Sequence, residues 1–197
     1  MKKLSILFLA FFIISISSKA QEEVGTYYNN FFKEEFTIKA SQKNSKISDI
    51  YIEVSAKKSS ESFINVGGED LETFKASLIA LRDKYLSWVK IAKDNNVTEM
   101  NKEFDIKFPS VTVAWVGSKW WFDFNRKISM RFLILESGKM VAVWAPKVTA
   151  SSNEYIDETI YFTFECEDDF NNLLDKLNSQ VMLDKLQSRQ NKEDLFQ

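Results

Sequence analysis

The chain has 197 residues, a single cysteine, no histidine and a formal charge of −2 at pH 7. Without imidazole there is no Ser-His-Asp or Cys-His nucleophile pair, no histidine-bearing zinc site and no side chain with an unperturbed pKa near neutrality. One cysteine excludes an internal disulfide, and five glycines without G-x-G-x-x-G or G-x-x-x-x-G-K-[ST] spacing leave nucleotide-phosphate cradles unsupported.

Residues 1–20 have the order of a secretory leader: Lys2 and Lys3, an apolar run from Leu4 to Ile16, then Ser18-Lys19-Ala20 ahead of a cleavage point. The apolar run is shorter than the roughly 20 residues that span a bilayer, and no later run is longer. The expectation is export, periplasmic or extracellular, with cleavage after Ala20 and no transmembrane segment in the mature chain. No cysteine lies near the junction, which argues against a lipid anchor. Cleavage removes three lysines and no acid, leaving 177 of 197 residues and moving the charge from −2 to −5. That balance argues against nucleic acid as a partner. The leader, the Ala-Gln junction and the Lys/Asn/Ile/Phe-rich usage resemble exported proteins of the Bacteroidetes in style.

After a polar lead-in, residues 21–30, strand alternation begins with Phe36, Ile38 and Ala40, continues with Ile50, Ile52 and Val54, and includes a short strand from Ser62 to Val66 that ends at Gly67-Gly68. From Asp70 the period becomes helical: Leu71, Phe74, Leu78, Leu81, Tyr85, Trp88 and Ala92 recur every three or four residues, with Asp70 as a cap and Asn95-Asn96 as a stop. Such a stripe belongs to a core.

The second half reads as more strongly β. Phe104, Ile106 and Phe108 alternate up to Pro109, and Val111, Val113 and Trp115 lead to a short Gly117-Ser118 turn. In the next strand Trp120, Phe122 and Phe124 share one face, assigned to the core, and Trp121, Asp123 and Asn125 share the other. Strands over about 128–136 and 139–147 follow, hinged at Ser137-Gly138, then a polar loop over 149–157. The last strand carries Ile160, Phe162, Phe164 and Cys166, with Cys166 read as a small buried hydrophobe. A second helix, about 168–187, is spaced by Phe170, Leu174, Leu177 and Val181, and residues 188–197 form a polar tail.

The expected fold is therefore α+β, with antiparallel sheet of about 7–8 strands covered on one side by two amphipathic helices, in one domain over residues 21–187. Strands followed by a capped helix occur twice, in half-units 31–96 and 103–187, with Glu69 falling on Glu165, Phe74 on Phe170, Leu78 on Leu174 and Leu81 on Leu177. This doubled order resembles Pur-alpha and whirly-type single-strand-binding proteins, from which it departs in having three strands in the first unit and five in the second. The resemblance implies a sheet that binds single strands or another polyanion. The local excess of Lys119, Arg126, Lys127, Arg131, Lys139 and Lys147 over Asp123 and Glu136 fits that alternative.

With imidazole absent, carboxylates are the remaining catalytic groups, and Asp123, Glu136 and Glu165 are candidates for a glycosidase-like pair. The acidic run Glu165, Glu167, Asp168, Asp169 lacks the spacing of a Ca²⁺ loop and reads as helix N-terminal charge, so no metal or cofactor is expected. Strand phase points to a surface instead. Opposite the expected core faces lie Tyr51 and Glu53, Trp121 and Asp123, Arg131, and Tyr161, a mixture suited to stacking a ring and fixing it by charge. The reading is an exported, non-catalytic binding module for an unidentified ligand or protein partner; a second layer or a homodimer would also cover that face. A carboxylate hydrolase is the other alternative.

Overall fold

The computed structural model describes residues 21–194; the leader expectation lies outside the described residues. In chain order the strands are β1 (Glu22–Asn29), β2 (Glu34–Lys43), β3 (Lys46–Glu53), β4 (Ser55–Ala56) and β5 (Ser62–Gly67), followed by helix α1 (Leu71–Asp94). Then come β6 (Met100–Glu103), β7 (Val111–Val116), β8 (Trp120–Arg126), β9 (Arg131–Ile134), β10 (Met140–Trp144), β11 (Lys147–Ala150) and β12 (Asn153–Phe164). Helices α2 (Glu167–Lys176) and α3 (Ser179–Asp194) end the chain. Among the described residues the fold is α+β, with two antiparallel sheets of six strands each and three α-helices.

The first sheet runs β1-β2-β3-β5-β7-β8 and the second β11-β12-β10-β9-β6, with β4 paired to β12. Backbone hydrogen bonds join them at two places, and the Asn29 side chain of β1 donates to the Thr163 carbonyl of β12 at 2.7 Å. The Ser151 N–H donates to the Phe122 carbonyl at 2.8 Å, tying the β11–β12 turn to β8, and β4, which continues β3 past Val54, pairs Ala56 with Ile160 and Ser55 with Tyr161. Strands β3/β4, β5, β7, β8, β11 and β12 thus form a closed circuit that protects most of its edges. The half-units 31–96 and 103–187 share both sheets, because Phe63 of β5 pairs with Ala114 of β7 in the first and Ser55 of β4 pairs with Tyr161 of β12 in the second.

Helix α1 lies against the inner faces. Its Leu71, Phe74, Leu78, Leu81 and Tyr85 are buried, with the Phe74 ring 6.5 Å from Phe162 and the Tyr85 ring 5.6 Å from Phe170. The Tyr85 hydroxyl lies 2.7 Å from the Met140 carbonyl and 2.5 Å from that of Glu165, and donates its one proton to either. Asn95 and Asn96 end the helix by donating backbone N–H groups to Ile91 and Lys93, and Asn96 turns through φ 53°. The Asp70 side chain does not cap; a 3₁₀ turn over Gly68–Asp70 feeds the helix instead.

Several expectations are corrected. The lead-in is strand β1, whose inward residues Val24, Tyr27 and Asn29 lose simple alternation at a bulge between Glu23 and Gly25. The ladder to β9 uses Met100–Glu103, ahead of the 104–108 stretch, which belongs to no strand. The loop expected over 149–157 is the β11–β12 hairpin. The last helix is broken after Lys176: Asn178 Oδ1 accepts the N–H groups of Gln180 and Val181, restarting the helix so that Met182 and Leu186 are buried and Val181 is exposed. Helix α3 continues through Asp194, into the expected tail. Cys166 is half-buried at the N-cap of α2, with its thiol pushed up by burial, rather than sealed in the core.

Candidate functional site

Of the expected surface residues, Tyr51 and Glu53 do lie on the outer face of the first sheet. Their strand neighbours Ile50 and Ile52 are fully buried on the inner side. Glu53 is committed to the fold: its Oε2 accepts the Thr37 N–H at 2.7 Å, just where the β2–β3 ladder ends at Ile38 and Ile52.

Trp121 and Asp123 point the other way. The β7–β8 turn holds three residues, 117–119, closed by the Gly117 N–H to the Lys119 carbonyl at 2.9 Å, and it pairs Val116 with Trp120, Trp115 with Trp121 and Val113 with Asp123. Residues directly opposite share a face. Trp115 and Val113 are core residues, so Trp121 and Asp123 face inward. A two-residue Gly117-Ser118 turn would set Trp120 opposite Trp115, and the one extra residue inverts the side chains from Trp120 to Phe124, beyond which a register shift pairs Arg126 with Val111. Asp123 is only 8% exposed, accepts the Thr149 N–H at 3.2 Å and lies 3.3 Å from Arg126 Nε.

Arg131 and Tyr161 belong to the second sheet. Arg131 reaches across β9 to β6, donating to Asn101 Oδ1 at 2.7 Å and to Glu103 Oε2 at 3.4 Å. Tyr161 pairs with Ser55 of β4, on the side of β12 away from the buried Ile160 and Phe162. The six expected residues therefore do not form one site.

The inversion of β8 exposes a different set. Trp120, Phe122 and Phe124 stand on the outer face at 40%, 41% and 56% exposure, the Phe122 and Phe124 rings parallel with centroids 6.0 Å apart. Beside them Ala114 pairs with Phe122 on one side and Phe63 on the other. A methyl group between larger side chains leaves a trough of about 370 Å³, lined also by Tyr51, Trp120, Gln21, Lys39 and Glu61. Lys39 Nζ sits 2.8 Å from Glu61 Oε1 and 4.6 Å from the Phe63 ring centroid, and the Phe63 and Trp120 rings are 6.0 Å apart. Burial, and then the Asp49 carboxylate, hold the Tyr51 phenol above its ordinary value, so it stays a neutral hydroxyl across the physiological range. The register signal for this set was present in the sequence, in the length of the 117–119 turn.

The chain matches no known protein family, curated protein or solved structure.

The chemistry of its surfaces is then the guide to function. The buried acids are occupied by structure. Asp169 receives N–H groups from Asn30, Glu165 and Cys166, and Glu158 those of Lys58, Ser59 and Thr159. Of the glycosidase candidates, Asp123 is held as above and Glu165 pairs with Lys139 at 2.8 Å. An opening of about 690 Å³ lies where the chain splays between the Glu103–Arg131 and Val111–Arg126 pairs; its walls mix Glu103, Asp105, Lys107 and Lys127 with Phe104 and Ile128. The charges there are two acids and two bases, which cancel and define no ligand class.

Proposed function

We propose that this is an exported, non-catalytic binding protein that takes a ring-bearing ligand in the trough over Ala114. The observation that carries the reading is the outward row of Trp120 and Phe122 beside a shallow floor, where large apolar surface stays in water although the strand has an inner face. With aromatic side chains offering about 150–250 Å² each, covering the exposed parts of these two would gain about 4–5 kcal/mol gross at 25 cal/mol per Å². Taken alone, before the loss of translational and rotational freedom, that gain corresponds to an affinity no tighter than about 0.2–1 mM, so polar contacts at the rim must supply the remainder.

The polyanion alternative is weakened by pairing. Arg126, Arg131, Lys139 and Lys147 lie within 3.4 Å of Asp123, Glu103, Glu165 and Asp157 respectively, and Lys119 covers the Trp121 ring at 4.5 Å. Five of the six cations in that stretch therefore have local partners.

The test is intrinsic tryptophan fluorescence of the wild type and of Trp120→Ala, titrated with soluble disaccharides and with N-acetyl aromatic amino-acid amides. A saturable change in the wild type that Trp120→Ala abolishes supports the trough; no response to any ring-bearing ligand removes it. Export is checked separately, by sequencing the N-terminus of protein recovered outside the cytoplasm, where the first residue should be Gln21.

A further inference from the structure

We infer that the ligand of the trough is a pyranose sugar, stacked on Trp120 and Phe122 and held at its edge by Lys39 and Glu61. This rests on the proposed reading of the trough as a binding site and adds the chemistry of what fills it. Its two flanks differ in kind. On the β8 side stand the exposed rings of Trp120 and Phe122; on the β2–β5 side stand Lys39, Glu61 and Tyr51, with Ala114 and Phe63 between the two flanks.

A pyranose has the matching division. Its ring carries C–H groups on one face, which lie well against an aromatic π-system, and hydroxyls around its edge, each both donor and acceptor. Lys39 Nζ supplies donors and Glu61 acceptors from a pair already formed at 2.8 Å, so two neighbouring hydroxyls can be bonded by charged groups without leaving a net charge between them. Both partners stay about one-third exposed, so they keep capacity for further hydrogen bonds. A wholly aromatic ligand fits the β8 flank, but it would cover Lys39 and Glu61 while offering them nothing to bond, which is unfavourable for charged groups losing water. The volume, about 370 Å³, falls near the lower end of small-molecule sites, about 300–1,000 Å³, and suits one or two rings rather than a long chain.

The experiment titrates the protein comprising residues 21–197 with maltose, cellobiose and N,N′-diacetylchitobiose, and in parallel with N-acetyl-tryptophanamide, by calorimetry. The variants are Trp120→Ala, Glu61→Gln and Tyr155→Ala, the last an exposed aromatic away from the trough lining. The expected result is saturable binding of at least one disaccharide, weakened about tenfold or more by Trp120→Ala and by Glu61→Gln, since a hydrogen bond to a charged group and a stacked ring each reach that size. Tyr155→Ala should bind as the wild type does. Thermal melts of each variant, expected to be near that of the wild type, separate lost binding from lost folding. Binding of the tryptophanamide with no response to sugars would overturn the sugar inference and leave the trough as a binding site; silence toward both would overturn the trough as well. A wild-type dimer in sedimentation that Trp120→Ala converts to monomer would overturn the sugar inference too, by showing that a second copy fills the trough.

Discussion

Trp120 and Trp121 are neighbours in the chain, yet the first projects from the outer face of β8 at 40% exposure while the second lies opposite Trp115 on the core side. Phe122 and Asp123 repeat the contrast with the chemistry reversed, the phenylalanine in solvent and the carboxylate nearly buried. Hydrophobicity alone would have arranged the strand the other way. What overrides it is the hairpin turn, together with inward partners that accept Asp123: the Thr149 N–H and the Arg126 guanidinium. A strand whose two faces are both apolar in part takes its orientation from register, and register from turn length.

The largest effect should therefore come from the turn. Deleting Ser118 would leave a two-residue loop, drive Trp120, Phe122 and Phe124 inward and strand Asp123 outside, at a cost of more than about 5 kcal/mol, comparable with the whole stability of a domain. Loss of the cooperative melt and of the near-ultraviolet dichroism is expected. A deletion variant with the wild-type melt and fluorescence would show that turn length does not decide the face.

Single substitutions sharpen the same contrast. Asp123→Ala leaves the Thr149 N–H without its acceptor and a partly buried Arg126 without its counter-charge, and should cost about 2–4 kcal/mol. Trp121→Ala, at a half-buried site, should cost about 2–3 kcal/mol. Trp120→Ala should change stability by less than about 1 kcal/mol. Urea unfolding of the three variants ranks them, and a Trp120→Ala cost equal to that of Trp121→Ala would erase the distinction between the faces.

Much of the fold was legible, because period is a strong signal where one face is apolar and the other polar. The inward residues of β2, β3, β7 and of β12 beyond Ile160 were read correctly from spacing, as was the stripe of α1, in which Trp88 is half-buried and the others buried. The signal failed where that condition failed. In β1 a bulge at Gly25 shifts the phase, in β6 the paired residues Met100–Glu103 are largely polar, and at Leu177-Asn178 a cap restarts a helix that the apolar spacing runs straight through. The candidate site was half legible. Tyr51 was placed on the right face, and an aromatic sheet surface was expected, but its principal residues were assigned to the core because they are the more apolar set of β8, whereas the turn sets which face they take.

The tyrosines of the first sheet extend the contrast between faces to pH. Tyr27 is buried on the inner side, its hydroxyl donating to the Glu53 carbonyl at 2.7 Å, and burial, followed by the Glu53 and Asp169 carboxylates, pushes its phenol far above its ordinary value of 10.0. The shift raises the folded-state value, so the stability it protects is present in full below pH 10.0 and is lost as pH rises through the window above it. The loss should be about 1.4 kcal/mol for each pH unit in that window. Alkaline unfolding followed by circular dichroism should begin above pH 10, and Tyr27→Phe, which has no proton to lose, should move the midpoint upward. An unchanged midpoint would mean that another group governs the alkaline limit. Tyr51, on the outer face, is raised less and should contribute little.

The smallest effect isolates the contact between turn and strand. A Cβ on Gly117 would lie 2.9 Å from Trp121 Nε1 and 3.1 Å from its Cδ1, closer than packed atoms tolerate, so the indole must move. Gly117→Ala should cost about 1 kcal/mol, the low end for inserting a methyl group into a packed site, because the indole is only half-buried and can give way. Gly138→Ala is the comparison: its φ is +79° and nothing lies within 4 Å, so any cost there comes from the backbone and not from a contact. If Gly117 acts through Trp121, the cost of Gly117→Ala should vanish in a Trp121→Ala background, while that of Gly138→Ala should persist unchanged. A Gly117→Ala penalty that survives the loss of Trp121 would assign the glycine to the turn's own backbone, and the indole would then owe its inward position to the register alone.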